Sequence, residues 1–203
     1  MSGEPLYCYT RLQGAERNGS GLHGILVRDV LPGLAPRGVA PWGIWSGLFG
    51  VASNELLVMS VGPADHPRWL HDAMPAGVGV SEQLLLRPTV RPQSADRLTR
   101  AGLYVFRFFE IASRDIDEFV ALSARAWTTF ETAADYDSHP EGLFRPVSAE
   151  SVARMLLCTW YDGLQSWQAS RTPAPEARAN FAARHALTVS TWALATQLIA
   201  AQA

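Results

Sequence analysis

Two stretches of this chain repeat one pattern. Gly47, Leu48 and Phe49 lead across a short polar gap into Leu56, Leu57, Val58 and Met59, and Gly142, Leu143 and Phe144 lead into Met155, Leu156 and Leu157. Upstream, Leu6 and Tyr7 open an apolar run as Leu103 and Tyr104 do. Downstream, Trp69 answers to Trp167. The offsets are 97, 95 and 98 residues, nearly constant over half of the 203-residue chain. A sustained offset means one folding unit has been duplicated, so it constrains architecture before any residue suggests chemistry. Each copy, at about 100 residues, is long enough to bury a core of its own.

Within each copy the same order of elements emerges. Residues 6 to 12 read as a strand and a Gly-rich turn follows. Leu22, Ile25, Leu26 and Val30 have helical spacing, and Pro32 and Gly33 are expected to stop that helix. Residues 42 to 49 and 55 to 61 read as two strands, Asp65 has the chemistry of an N-cap for a short helix around Trp69, and residues 84 to 90 make a fourth strand. The second copy offers a strand at 103 to 111, a long helix capped by Ser113 or Asp115, and a strand pair at 142 to 147 and 153 to 161. Short helices at 164 to 170 and 176 to 185 follow, then a segment from Leu187 that the duplication assigns to strand up to about Ala195. The order is β-α-β-β-α-β twice, the ferredoxin-like arrangement. The expected boundaries are 1–93 for the first unit, 94–101 for a polar linker and 102–203 for the second unit. Val105, Phe106, Phe108 and Phe109, like Met155 to Cys158, are apolar on both parities, whereas a half-exposed strand alternates. Both sheet faces should therefore be buried, and two such sheets packed face to face would close an intrachain α+β barrel.

Composition removes several function classes. Formal charge is −2, so there is no electrostatic case for nucleic acid or an acidic membrane as partner. No apolar run approaches the roughly 20 residues of a bilayer span, and the N-terminal residues lack the pattern of a signal peptide, which points to the cytoplasm. All seventeen cationic residues are arginine, in an Arg-, Ala- and Gly-rich composition typical of a GC-rich bacterial genome. Without lysine there is no Schiff base, no pyridoxal phosphate linkage and no P-loop lysine. Cys8 and Cys158 sit inside apolar runs and are expected to be buried, inert thiols.

The second copy resembles the NIPSNAP family within the dimeric α+β barrel superfamily. Arg107, Phe109 and Glu110 carry that resemblance in the first strand, and Ala126, Trp127, Phe130 and Glu131 carry it at the helix end. It continues through residues 141 to 145 and 155 to 163, with Trp167, Ala169 and Ser170. The resemblance implies tandem ferredoxin-like units closing a barrel within one chain, and frequent homodimers. It supplies no catalytic residues. Superfamily relatives include cofactor-less monooxygenases, haem-degrading enzymes, chlorite dismutases and ligand carriers.

Few residues point to chemistry. None of His23, His66, His71, His139 and His185 has metal-ligand spacing, although His185 on the last helix is the best axial-ligand candidate among them. Asp135, Asp137 and His139 could hold a cation by spacing, but read more simply as a solvated acidic loop. There is no Gly-x-Ser-x-Gly turn, phosphate loop or dinucleotide fingerprint. No metal or other cofactor is therefore expected. The most informative group is polar residues within apolar strands of the second copy, because a charge facing an interior needs a partner. One account pairs Arg107 with Glu131 inside the barrel. The other makes Arg107, Glu131, Thr159 and Tyr161, walled by Trp127, Phe144 and Trp160, a ligand pocket in the barrel of the second half, with only a faint copy at Thr10, Arg11 and Trp45. The chain then either binds or transforms a small aromatic or acidic metabolite, or is a scaffold whose barrel is filled by its own side chains.

Overall fold

The computed structural model describes residues 5–64 and 68–200. In the first half, β1 (Leu6–Gln13) is followed by α1 (Ser20–Ile25), which runs through a π turn at Leu26–Val30 into α2 (Leu31–Leu34). Then come β2 (Ala40–Phe49), β3 (Glu55–Gly62), α3 (Trp69–Ala73) and β4 (Gly79–Pro88). The second half holds β5 (Leu103–Ala112), α4 (Ile116–Phe130), β6 (Ser138–Pro146), β7 (Val152–Tyr161), α5 (Leu164–Ala169), α6 (Pro175–Ala186) and β8 (Thr188–Leu198). Strand order is β4-β1-β3-β2 in the first half and β8-β5-β7-β6 in the second, and the eight strands close one hydrogen-bonded barrel. The tandem ferredoxin-like order read from the sequence is the order observed.

By contacts the chain divides into two units that exchange segments. Unit 1 runs up to Arg87 and adds Ser94–Ala101 and the chain from Ala195; unit 2 comprises Pro88–Gln93 and Gly102–Leu194. Residues 94 to 101, expected as a linker, are tied to unit 1 where Leu98 N donates to Trp42 O at 2.8 Å. The preceding segment joins unit 2: Thr89 N donates to Leu143 O at 2.9 Å, and Leu143 N donates to Arg91 O at 3.1 Å. The end of β8 pairs with β2, from Phe49↔Ala195 to Trp45↔Leu198. That pairing carries the strand past Ala195, where side-chain preference alone would end it.

Each sheet is buried on both faces, as the missing alternation requires. The helix-covered face of unit 1 packs Leu6, Cys8, Leu12, Ile44, Leu56 and Val58 against Leu22, Leu26, Leu34 and Trp69. In unit 2, Phe109, Ile111, Leu143, Met155 and Leu157 meet Ile116, Phe119 and Trp127 of α4. The opposite face of unit 2 is filled by Tyr104, Phe106, Phe108, Phe144, Leu156 and Trp160, all buried. Every fully buried ring of this kind contributes roughly 1.5–3 kcal/mol. Cys8 and Cys158 are free and buried, as expected. Among the described residues no helix is long and apolar enough to cross a membrane.

Four local expectations are corrected. Pro32 does not stop the first helix, because the π turn places it in the first turn of α2, where its missing N–H has no partner to lose. Neither Ser113 nor Asp115 makes a side-chain cap, and β4 begins at Gly79 rather than Leu84. The Asp65 cap lies outside the described residues. The fourth correction concerns the duplication itself. The register pairs Ile44 with Val58 and Leu143 with Leu157, each just past a β-bulge that follows a proline, Pro41 or Pro140. The true counterpart of Gly142, Leu143 and Phe144 is therefore Gly43, Ile44 and Trp45, at an offset of 99. In both, the aromatic ring two residues on lies across the glycine, where a Cβ would overlap it. Phe49 is 59% exposed, whereas Phe144 is fully buried.

Candidate functional site

Unit 2 contains a cavity of about 370 Å³ on the helix-covered face of its sheet. Its floor is the odd-numbered face of two paired strands: Val105, Arg107 and Phe109 on β5, and Leu157, Thr159 and Tyr161 on β7. Trp127 and Phe130 of α4 form one wall. Phe181, Arg178, Arg184 and His185 of α6 form the other, and Ser170, Arg171 and Pro173 close the end. Phe130 and Phe181 meet edge to face at 5.4 Å.

The charge balance of this lining is one-sided. It holds four arginines, Arg107, Arg171, Arg178 and Arg184, and no aspartate or glutamate. Arg184 is 8% exposed. Its Nη1 donates to Ser123 Oγ at 3.2 Å, and its guanidinium lies 4.8 Å from the ring centre of Phe181, 4.9 Å from Phe109 and 5.4 Å from Phe119. Ser123 donates its own proton to Phe119 O at 2.8 Å, so its oxygen is free to accept. Burial first, and the charge of Arg107 second, push the Arg184 pKa down to about 10, while Tyr161 opposes the shift. Arg107 is also lowered, by burial and then by Arg171. The Tyr161 phenol is raised by burial and held back by Ser170 and by Arg107, Arg171 and Arg184. Two guanidiniums thus share a dry corner with a phenol, and no carboxylate is among their contacts.

Of the seven residues read from the sequence as ligand contacts, Arg107, Trp127, Thr159 and Tyr161 line the cavity. Trp160 and Phe144 do not. Successive strand residues face opposite ways, so Trp160 cannot share a face with Thr159 and Tyr161, and the pairing Phe144↔Leu156 puts Phe144 on that other face too. Glu131 is not in the lining and does not pair with Arg107. It takes a two-pronged contact from Arg91, Nη1 to Oε1 at 2.5 Å and Nη2 to Oε2 at 2.9 Å, and a further contact from His139 at 2.7 Å. Arg91 also lies 5.2 Å over the Trp127 ring and donates to Pro140 O at 3.0 Å, so it braces two lining residues from behind. Placing the pocket inside the barrel is likewise corrected, since the opposite face of this sheet is packed with its own aromatic side chains. Glu110 is used locally, accepting from Arg154 at 3.1 Å and from Ser190 Oγ at 2.7 Å.

The sequence pattern places a helix at 176 to 185 with His185 on it, but it does not single out Phe181 and Arg184, which α6 brings into the lining. Unit 1 goes from Ala73 to Gly79 with no helix between, whereas unit 2 places α6 between Ala169 and Thr188. The interruption of the repeat offset was a usable signal, because the inserted residues carry Phe181, Arg184 and His185. In unit 1 the equivalent space is filled. Gly62 and Ser60 occupy the register positions of Tyr161 and Thr159, and Trp69 packs over them, donating to Ser60 Oγ at 2.7 Å. A side chain at Gly62 would meet Val39 and the Trp69 ring. The counterpart of Arg107 there is Thr10, fully buried beside Cys8 Sγ at 3.4 Å. Arg11 is engaged with Glu55 instead, its Nε donating at 2.9 Å.

Among the described residues no group of three His, Cys, Asp or Glu side chains could hold a metal ion. The acidic loop gives no cation site: His139 is turned to Glu131. His185 lines the cavity but belongs to an exposed stretch of α6.

No protein-family model matches the chain, and no curated protein matches it. Solved structures do. An anthrone oxidase-like protein is 13% identical with a TM-score of 0.65, covering 97% of this chain and 92% of its own. A mutant of chlorite dismutase from Candidatus Nitrospira defluvii is 10% identical, TM-score 0.63, covering 96% and 91%. A ferredoxin-fold protein from Listeria monocytogenes, related to antibiotic biosynthesis monooxygenases, is 12% identical, TM-score 0.54, covering 97% and 96%. This chain has the fold of the dimeric α+β barrel proteins. At such identities the likeness extends to the fold alone.

Proposed function

We propose that unit 2 binds a small aromatic acid in the cavity between its sheet and helices α4 and α6. The observation that carries this is the pair Arg107 and Arg184, set among five aromatic rings with no carboxylate in the lining. A buried cation without an anion is costly, and a carboxylate entering the cavity supplies the missing charge through directed N–H donors. Trp127, Phe130 and Phe181 offer the apolar walls, and Thr159 and Tyr161 offer hydroxyls to orient the ring. The volume suits a ligand of one or two rings. The names of the fold neighbours, an anthrone oxidase-like protein and relatives of antibiotic biosynthesis monooxygenases, fit an aromatic substrate. Transformation of the bound acid, as distinct from carriage, is consistent with them. Of the residues that resemble NIPSNAP proteins, Arg107, Phe109, Trp127, Phe130, Thr159 and Tyr161 all face the cavity, which supports a NIPSNAP-like second unit. The same resemblance underlies the proposal of a homodimer, checked by light scattering.

The test is a thermal-shift series with benzoate, hydroxybenzoates and acetate on the wild-type protein and on Arg107→Met. A ligand at a hundred times its Kd stabilises by about 2.7 kcal/mol, well within detection. Aromatic acids should raise the wild-type midpoint, acetate should not, and the variant should fold without responding. A flat wild-type series defeats the proposal.

A further inference from the structure

Two guanidiniums line this cavity, Arg184 buried and Arg107 partly buried, and their charges set the charge of whatever fills it. We infer that the ligand is an aromatic molecule with a dianionic head, either a phosphate monoester or a pair of adjacent carboxylates, held by Arg107 and Arg184 together. The inference rests on the proposed function and goes further in fixing ligand charge. Among the described residues Arg184 contacts a hydroxyl and three ring faces, and no carboxylate contacts it or Arg107. Arg171 and Arg178 at the exposed end add positive potential, and the other titratable side chains in the lining are Tyr161 and His185. A monoanion entering this corner would neutralise one buried charge and leave the second beside it. A dianion neutralises both, and its three or four acceptor oxygens can meet two guanidinium forks at once. Aromatic walls on α4 and α6 then select for a ring attached to that head, over a bare inorganic anion.

Titration calorimetry at pH 8 separates these ideas with four probes: benzoate, methyl phenyl phosphate, phenyl phosphate and phthalate. The first two carry one negative charge; phenyl phosphate is a dianion at this pH, since the second phosphate pKa is about 6. Phenyl phosphate should bind at least tenfold more tightly than its methyl ester, and phthalate more tightly than benzoate. Inorganic phosphate should bind more weakly than phenyl phosphate. Either Arg184→Gln or Arg107→Gln should erase the difference between ester and monoester, so one variant that fails to fold leaves the other as the test. Equal affinity for phenyl phosphate and its methyl ester overturns the dianion inference while leaving an aromatic-acid site standing. Failure of all four probes overturns both.

Discussion

Replacing Arg184 with Met tests the central electrostatic claim without any ligand. Arg184 is 8% exposed and its pKa is pushed down to about 10, a shift worth on the order of 3 kcal/mol against the charged folded state at about 1.36 kcal/mol per decade. The sign is that of a cation whose folded pKa is depressed. The penalty is fully present below pH 10, and would lift only as pH rises through the folded value toward the unfolded one. Against it stand one hydrogen bond to Ser123, about 1 kcal/mol, and three ring contacts that together offset about 2 kcal/mol. Methionine fills a similar volume, and Ser123 keeps its bond to Phe119 O. The net change should lie within about 1.5 kcal/mol of wild type, whereas breaking a true buried ion pair costs 3–5 kcal/mol. Urea unfolding at pH 7 measures it. A double-mutant cycle with Arg107→Met gives the sharper reading: each single change removes the repulsion between the two guanidiniums. The double variant should therefore be less stable than the summed single effects predict, by roughly 0.5–1.5 kcal/mol. A loss above about 3 kcal/mol for Arg184→Met, or a coupling of the opposite sign, would refute the unpaired-charge account.

Three further outcomes are expected. Glu131→Gln removes the acceptor of Arg91 and His139, and because these groups are partly exposed the loss should be only about 1 kcal/mol, accompanied by a change in Trp127 fluorescence seen by subtracting a Trp127→Phe background. Trp69→Phe strands the buried Ser60 hydroxyl and leaves a void in unit 1, so it should destabilise by about 2–4 kcal/mol in chemical denaturation. Burial raises the pKa of both thiols, Cys158 most strongly, so at pH 8 both stay protonated. A thiol reagent should then react with the native protein far more slowly than with the urea-unfolded chain, and fast labelling in the native state would contradict the burial.

What the sequence by itself determined was order. Strand and helix preferences are local, and duplication doubles the signal, so the two ferredoxin-like copies and their doubly buried strands were legible before any coordinates. Polar residues set within apolar strands also made Arg107, Thr159 and Tyr161 stand out, but without alternation their common face was not legible. Register was decided only in three dimensions. Gly47, Leu48 and Phe49 imitate Gly142, Leu143 and Phe144 in sequence, yet strand pairing and the ring over the glycine put Gly43 in that place, four residues earlier. The partner of a charge was likewise a tertiary matter. Glu131 lies at the end of α4, and the segment that reaches it, residues 88 to 93, belongs in sequence to the first half. Among the described residues no carboxylate contacts Arg107, and the inserted helix brings Arg184 into the same lining instead. A linear sequence fixes the period of each element, but it does not state which elements meet. The charge left unbalanced in the cavity is a property of that meeting.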